Sequence, residues 1–472
     1  MKKKLENRKN NKSIIVSTLI FVITFIAMAG YLIYFNLTQA ESIINNSYNK
    51  RQGVLSRRTI RGSILSDDKT KLAVTNVDDD GNETRYYPYS GLFSHTIGYL
   101  NNGGYGLESL YGYYMLHSNQ NFFEQIGNDL SGNRNTGDNV VTTLNVGLQK
   151  ACYDALGSNR GAVIVMEPST GKILAMVSKP DFDPNTLAAN WSQITGEGSD
   201  SVLVNRATQG LYPPGSTFKL ITMLEYLREH KNDYGQYHYI CDELGNNTIN
   251  CVRTTAHGDV DLFSSLAVSC NCSFINIGLS LDLDRYKKTA EKMLFNKELP
   301  TNLEYNKSRF VLNGESSEWD IAQTSFGQGK TVITPFHLAL ITCTIANNGT
   351  LMEPYLVSSV ESTNGMTVKK FKEEKYDTLI TEKEASLLKK GMEQVVKDSF
   401  SWLFGGVEYT LAAKSGSAQY GTEGYEHSLY ASFSPADNPE IAVVAVVEGG
   451  PQRNTTAAEV TKQIYDYYYS NK

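Results

Sequence analysis

Twenty-three consecutive residues without a charge, Ser13 to Phe35, follow a basic head and limit at once what this chain can fold into. A helix needs about 20 predominantly apolar residues to cross the hydrocarbon core of a bilayer. The preceding segment, MKKKLENRKNNK, carries six Lys/Arg and only Glu6. The positive-inside tendency therefore keeps residues 1–12 in the cytosol and sends everything after the apolar run outward. A cleaved signal peptide is the alternative, with Thr38-Gln39-Ala40 as a faint cleavage site. The run is longer than the ~7–15 residues of a signal h-region, which favours an uncleaved anchor. We expect a single-pass protein of the cell membrane, with its body outside the cytoplasm.

Composition narrows the function classes. Of 472 residues, 41% are apolar and 20% charged, which excludes a wholly disordered chain. Lys+Arg number 44 against 50 Asp+Glu, and the basic runs are short. No nucleic-acid partner is expected, because phosphate binding needs clustered positive charge. Six Cys are too few for a disulfide-dense scaffold, and none has Cys-x-x-Cys spacing. The seven His never form His-Glu-x-x-His, so neither a metal nor another cofactor is expected. Cys241 and Cys251 flank a Gly-Asn-Asn turn and could close a hairpin disulfide or stay as thiols. Cys152 and Cys343 read as free and buried, and Cys270 and Cys272 as small packed side chains. Gly327-Gln328-Gly329-Lys330-Thr331 imitates a phosphate loop, but Thr324 stands where that motif needs Gly.

Along the exported part, residues 37–60 read as a polar stalk continuing the membrane helix. From Arg61 to about Asn145, short Val/Ile/Tyr runs between Asn/Gly turns suggest a strand-rich accessory module. At Gly161 the texture changes: Gly161–Ser178 holds two apolar strands joined at Pro168-Ser169-Thr170-Gly171, a hairpin signature. Helical spacing follows over Lys219–Glu229, Leu262–Leu281 and Pro335–Asn347. Three strands, Tyr409–Gln419, Ser428–Ser434 and Glu440–Glu448, precede an amphipathic helix from about Thr456 to Tyr469. Two strands, many helices, three strands and a closing helix imply an α+β fold, a mixed sheet covered by helices.

Three short segments carry the chemistry. In Tyr212-Pro213-Pro214-Gly215-Ser216-Thr217-Phe218-Lys219, the Ser falls in a first helical turn and the Lys three residues on, so the amine can reach the hydroxyl. A serine hydroxyl is a weak nucleophile until a base takes its proton. Lysine serves as that base only if burial or positive neighbours lower its pKa. Alone, the pair is equally consistent with a helix cap and a solvated charge. Downstream, Ser269-Cys270-Asn271 sits in an apolar helical context, where two buried polar side chains need hydrogen bonds. Lys414-Ser415-Gly416-Ser417 lies in the first C-terminal strand, offering a cation and hydroxyls to a carboxylate, with Gly416 leaving room for substrate. His257 and His427 could line the same cleft, but a base role is already filled by lysine. The Tyr465–Tyr469 run reads as helix packing.

With these three motifs in this order, the chain resembles the class B penicillin-binding proteins, the monofunctional peptidoglycan D,D-transpeptidases. Arg61-Gly62-Ser63-Ile64, Gly106-Leu107-Glu108, Gly327-Gln328-Gly329 with Thr334-Pro335, and the final sheet extend the similarity, which is nearest to the short penicillin-binding protein A-like subgroup. The resemblance implies a transpeptidase domain of the penicillin-binding and serine β-lactamase type, with a central five-stranded antiparallel sheet covered by helices. It divides the chain into a cytoplasmic tail (1–12), transmembrane anchor (13–36), non-catalytic pedestal or dimerisation-type module (37–148) and transpeptidase domain (149–472). It implies Ser216 as nucleophile, Lys219 as base, Ser269 as proton relay, Asn271 as amide holder and Lys414 with Ser415, Gly416 and Ser417 as carboxylate site. Backbone N–H groups of Ser216 and Ser417 would form the oxyanion hole. Substrates would be stem peptides ending in D-Ala-D-Ala, with β-lactams as mimics.

Two positions depart from the family pattern: Ser415 and Ser417 stand where Thr is commoner, keeping the hydroxyl and losing a methyl. No segment resembles a glycosyltransferase, so glycan strands are expected from a partner, a polymerase of the shape, elongation, division and sporulation (SEDS) family. A serine β-lactamase or D,D-carboxypeptidase shares Ser-x-x-Lys; the anchor and extra module argue against the former. A β-lactam sensor, or a non-catalytic activator of a membrane glycan polymerase, is the alternative from another class.

Overall fold

The computed structural model describes residues 2–38, 59–196, 198–242, 251, 256–420, 424–450 and 453–472. Helix α1 spans Lys2–Thr38, and its apolar portion Ile14–Phe35 is exposed, with no part of it packed against protein. Its 22 residues extend about 33 Å, close to the ~30 Å hydrocarbon thickness. This is a candidate membrane anchor, matching the length read from the sequence. Most of the expected stalk, residues 39–58, lies outside the described residues.

The accessory module is built on β1 (Ile64–Leu65), β2 (Lys71–Val77), β3 (Glu83–Tyr86) and β4 (Asn139–Thr142). The strands Val357–Glu361 and Thr367–Lys370, far along the chain, extend this sheet beside β4, giving six strands. Two of the sequence motifs meet beneath it. Arg61 Nε donates to Glu108 Oε2 at 2.8 Å and Arg85 Nε to Glu108 Oε1 at 2.7 Å. Burial alone would raise the Glu108 carboxyl, but Arg85 and Arg61 outweigh it and hold it below its usual range. Gly62 passes so close to Asp138 that a Cβ would lie 1.9 Å from its carbonyl oxygen.

Helix α2 (Val146–Leu156) leads into β5 (Gly161–Met166) and β6 (Ile173–Lys179). After the helical region come β7 (Ala412–Tyr420), β8 (Tyr425–Ser434) and β9 (Ile441–Val447). These five form one sheet in the order β7-β8-β9-β5-β6. All four pairings are antiparallel, as the family resemblance implied, rather than the mixed arrangement suggested by pattern alone.

Both faces of the sheet are buried, which explains why β5 and β9 read as continuous apolar runs. Ala162, Ile164 and Met166 join Ala442, Val444 and Val446 in one core. Val163 and Val165 join Ile441, Val443, Ala445 and Val447 in the other. The period of two along each strand sends alternate side chains to opposite layers. Each of the Val, Ile and Met side chains contributes about 1.5–3 kcal/mol on burial, and the alanines less.

The closing helix, Ala457–Ser470, and α2 cover the second face through Leu148, Cys152, Val460 and Tyr465. Tyr465 OH meets Ser432 Oγ at 3.0 Å, so the tyrosine run packs as expected. The first face lies against α6 (Pro335–Ala346) and the helix Glu382–Ser399, with α3 (Lys219–Glu229), α4 (Leu262–Ala267) and α5 (Asn271–Ser280) sharing the same core beyond them. Every residue of α6 is buried, as its all-round apolar sequence requires. Thr334 caps it, accepting from the His337 N–H at 3.2 Å, and Pro335 occupies the first turn, where its missing N–H costs nothing. Leu262–Leu281, expected as one helix, breaks between α4 and α5: Ser269 takes φ +57°, a left-handed conformation no helix interior accommodates.

Candidate active site

The Pro213-Pro214-Gly215 segment ends an extended stretch, and Gly215–Phe218 forms one 3-10 turn before α3 begins at Lys219. Gly215 has φ +55° and lies against β7: a Cβ there would sit 2.7 Å from Ser417 O and 3.1 Å from Ser417 N. A Cβ on Gly416 would lie 2.8 Å from Pro214 O. The turn bearing Ser216 is thus laid directly on the strand bearing Lys414-Ser415-Gly416-Ser417, along the outer edge of the sheet. That edge leaves backbone groups of β7 without a strand partner.

Gly327-Gln328-Gly329 closes the floor, a geometric role that motif matching alone did not assign. Gly215 N–H donates to Gly327 O at 2.8 Å, and Gln328 Nε2 to Ser417 O at 3.3 Å. A Cβ on Gly327 would come 1.8 Å from Gly215 O. The imitation phosphate loop is therefore a backbone clamp between the serine turn and β7.

The polar centre is a four-residue network. Lys219 Nζ lies 2.7 Å from Ser269 O, 2.8 Å from Asn271 Oδ1 and 3.2 Å from Ser269 Oγ. Lys414 Nζ donates to Ser269 Oγ at 2.9 Å. Both ammonium groups are fully buried. Burial brings Lys219 down to about 7, against the opposing effect of Cys270, Cys251 and Cys272. Burial, then the charge of Lys219, pushes Lys414 well below its ordinary value. Two lysines sharing one hydroxyl titrate as a pair, since like charges in one dry site disfavour the doubly protonated state. The left-handed turn at Ser269 presents both its carbonyl and its hydroxyl to Lys219.

The hydrogen bonds of Lys219 go to Ser269 and Asn271, and none joins it to Ser216 Oγ among the described residues. Catalytic contacts commonly tighten only with substrate in place. Ser216 is half-buried and Ser417 exposed, so both remain reachable from solvent.

His427 packs between Tyr212 and Tyr420, with ring centroids at 5.2 and 4.1 Å, and accepts from Gly449 N–H. Burial keeps its pKa lowered, with Glu448 opposing, so it is a packed neutral ring. Sequence reading missed Glu448 altogether. Its carboxylate accepts from Tyr212 OH at 2.8 Å, Arg206 Nε at 2.9 Å and Arg160 Nε at 2.8 Å. It thereby ties the end of β9 to the strand segment leading into the serine turn. None of the six cysteines is in a disulfide, and Cys152 and Cys343 are buried as expected. Cys241 and Cys251 place their sulfurs 3.6 Å apart without a bond.

Comparison with known proteins agrees with this geometry. Residues 161–466 match the penicillin binding protein transpeptidase domain, and residues 61–140 the penicillin binding protein A dimerisation domain. Peptidoglycan D,D-transpeptidase PbpA of Mycolicibacterium smegmatis is 31% identical over 403 residues, 79% of each chain. Peptidoglycan D,D-transpeptidase MrdA of Acinetobacter baumannii is 26% identical over 449 residues, covering 82% of this chain and 66% of that relative. Among solved structures, penicillin-binding protein A from M. tuberculosis, as an imipenem acyl-enzyme complex, superposes with a TM-score of 0.77 at 27% identity, over 87% of this chain and 99% of that one. The D,D-transpeptidase domain of a peptidoglycan glycosyltransferase from Eggerthella lenta gives 0.77 at 27%, over 88% and 99%.

Proposed function

Because the chain belongs to the penicillin-binding protein transpeptidases, we propose that it is a peptidoglycan D,D-transpeptidase, acylated on Ser216 by stem peptides and by β-lactams. The observation that carries this reading is the convergence of the Ser216 turn, the Ser269–Asn271 bend and the Lys414 strand on one network at the sheet edge. A neutral Lys219 amine has two N–H bonds, matched by the two carbonyl acceptors Ser269 O and Asn271 Oδ1. Its lone pair is then free to take a proton. Ser216 Oγ attacks the carbonyl of the penultimate D-Ala while its proton passes to Lys219. The oxyanion is held by the N–H groups of Ser216 and Ser417; losing one such donor costs about 2.7–4 kcal/mol.

Lys414, donating to Ser269 Oγ, makes that hydroxyl a relay toward the leaving D-Ala amine. Ser415 and Ser417, with the Lys414 charge, receive the terminal carboxylate. The substrate backbone lies along the free edge of β7 and gains strand-like hydrogen bonds. The acyl group then leaves Ser216 for the amine of a second stem, which restores the serine hydroxyl and closes the cross-link. Residues 37–148 serve as a pedestal for the catalytic domain 149–472, and the anchor runs outward from a cytoplasmic N-terminus.

The glycan strands come from a SEDS-family polymerase, a partnership supported by family resemblance and tested by co-purification of the full chain with such a polymerase. Cross-linking with that polymerase separates enzyme from non-catalytic activator. Ser216→Ala should abolish cross-links and leave polymerisation intact; normal cross-linking by this variant would overturn the proposal.

A further inference from the structure

Glu448 belongs to none of the three motifs, yet its carboxylate gathers donors from three parts of the catalytic domain. Tyr212 OH donates to Oε1 at 2.8 Å, Arg206 Nε to Oε1 at 2.9 Å and Arg160 Nε to Oε2 at 2.8 Å. Arg206 and Tyr212 are buried, and the Glu448 side chain is 15% exposed. The Glu448 N–H donates to Arg160 O at 2.8 Å, which seats it at the end of β9 beside the start of β5. None of its hydrogen bonds reaches Ser216, Lys219 or Lys414 among the described residues.

One of these contacts leads to the nucleophile. Tyr212 stands four residues before Ser216, and Pro213 and Pro214 fill the gap up to Gly215. Proline fixes φ near −65° and restricts the residue before it, so this link is stiff. The Tyr212 backbone is held by Ile333, donating to its carbonyl at 3.0 Å and accepting from its N–H at 2.8 Å. The ring lies edge-on to His427 and against Gly210, where a Cβ would come 2.6 Å from it. The hydroxyl then ties this lever to the end of β9.

The neighbouring Gly449 grips the opposite wall. Its N–H donates to His427 Nδ1 at 3.1 Å, and its carbonyl accepts from Tyr420 OH at 2.7 Å. Tyr420 ends β7, three residues after Ser417, and stacks on His427 with ring centroids at 4.1 Å. A Cβ on Gly449 would lie 2.5 Å from Glu426 O, so the link runs flush against β8. Glu448 and Gly449 therefore bracket the cleft, taking one hydroxyl from the serine side and one from the Ser417 side. The two N–H groups assigned to the oxyanion belong to those same segments. Their spacing has to suit one oxygen at about 2.7–3.1 Å from each.

We propose that Glu448 is a positioning residue for acyl transfer, setting the Ser216 turn against the Ser417 strand through the Tyr212 hydroxyl. This rests on the transpeptidase reading and extends it to a residue outside the three motifs. A carboxylate has about four acceptor sites, enough for Tyr212 and both guanidinium groups at once. Arg206 is fixed in turn by Ser201 O and Asp200 O, at 3.1 Å each, and Arg160 Nη1 by Asp200 Oδ1 at 2.8 Å. An ion pair serving stability alone would be complete with the arginines; the tyrosine carries the constraint to the nucleophile. Misplacing a reacting group by about 1 Å costs roughly 100-fold, so a small tilt of the turn is visible in the rate.

The test is stopped-flow acylation of the full chain in detergent by a fluorescent penicillin, per titrated active site, which separates Kd from the acylation rate constant. Tyr212→Phe deletes one hydroxyl and keeps the ring; it should slow acylation roughly 10-fold and change Kd less than about twofold. Glu448→Gln, of equal size, should slow it roughly 10–100-fold. Adding Tyr212→Phe to Glu448→Gln should cost little more, because both act through one bond. Should Glu448→Gln fail to fold, Tyr212→Phe still decides. Glu108→Gln, in the accessory module, is the control: it should lower the melting temperature and leave the rate constant unchanged. A native rate constant in Tyr212→Phe, a loss confined to Kd, additive losses in the double variant, or equal slowing by Glu108→Gln would overturn the positioning role. A native chain that penicillin does not acylate would overturn the transpeptidase reading as well, whereas native acylation with unslowed variants removes only the role of Glu448.

Discussion

Lys219 is where residue chemistry decides the mechanism. An exposed lysine near pH 7 is almost wholly protonated and cannot accept a proton. Burial lowers this one to about 7, and its partners Ser269 O and Asn271 Oδ1 are matched by the two N–H bonds of the neutral form. Acylation by penicillin should therefore speed up as pH rises through about 7, as the base form fills, and level off above it. A rate that falls over that interval would contradict Lys219 as base. Lys219→Met should slow acylation by roughly 10²–10⁴, the usual worth of a positioned general base. Ser415→Ala removes a hydroxyl proposed for a charged carboxylate, about 1.5–3 kcal/mol. It should weaken capture of carboxylate-bearing β-lactams by roughly 10–150-fold, whereas Ser415→Thr should restore it.

At the scale of elements, the site depends on three pieces of backbone touching without side chains between them. Gly327→Ala would drive a Cβ to within 1.8 Å of Gly215 O at a φ of +87°. It should displace the serine turn from β7 and abolish acylation, while circular dichroism retains the sheet signal that the two buried cores maintain. The sheet strands and the helices α3 and α6 were legible, because uninterrupted apolar runs and helical spacing survive any tertiary context. The break at Ser269 was not, since neither Gly nor Pro marks it; tertiary hydrogen bonds to Lys219 and Lys414 accompany the left-handed residue. Nor was the extension of the accessory sheet by Val357–Glu361 and Thr367–Lys370 visible, because strand pairing over two hundred residues leaves no local trace. Glu448 escaped for the same reason: its partners Arg160, Arg206 and Tyr212 are distant in sequence. The three motifs of the candidate site were readable from residue types and order, but their convergence was a property of the fold.

The whole molecule joins an N-terminal helix long and apolar enough to cross a membrane, an accessory sheet and the five-stranded sheet that carries the candidate site. The buried Glu108 carboxylate locks the accessory module by holding Arg61 and Arg85 together. Glu108→Gln leaves two buried guanidinium groups without a counter-charge, a loss of about 3–5 kcal/mol that thermal unfolding would register. Because the folded carboxyl is held below its usual pKa, its contribution is complete above the unfolded value near 4.3 and fades as pH falls through the lower folded one. The native chain should therefore lose stability in strong acid more steeply than Glu108→Gln does. The most direct measurement is intact-mass spectrometry of the full chain after penicillin, with the modified peptide mapped. One penicilloyl group on Ser216, absent in Ser216→Ala, is the predicted result; an adduct on any other residue, or none on the native chain, would contradict Ser216 as the nucleophile.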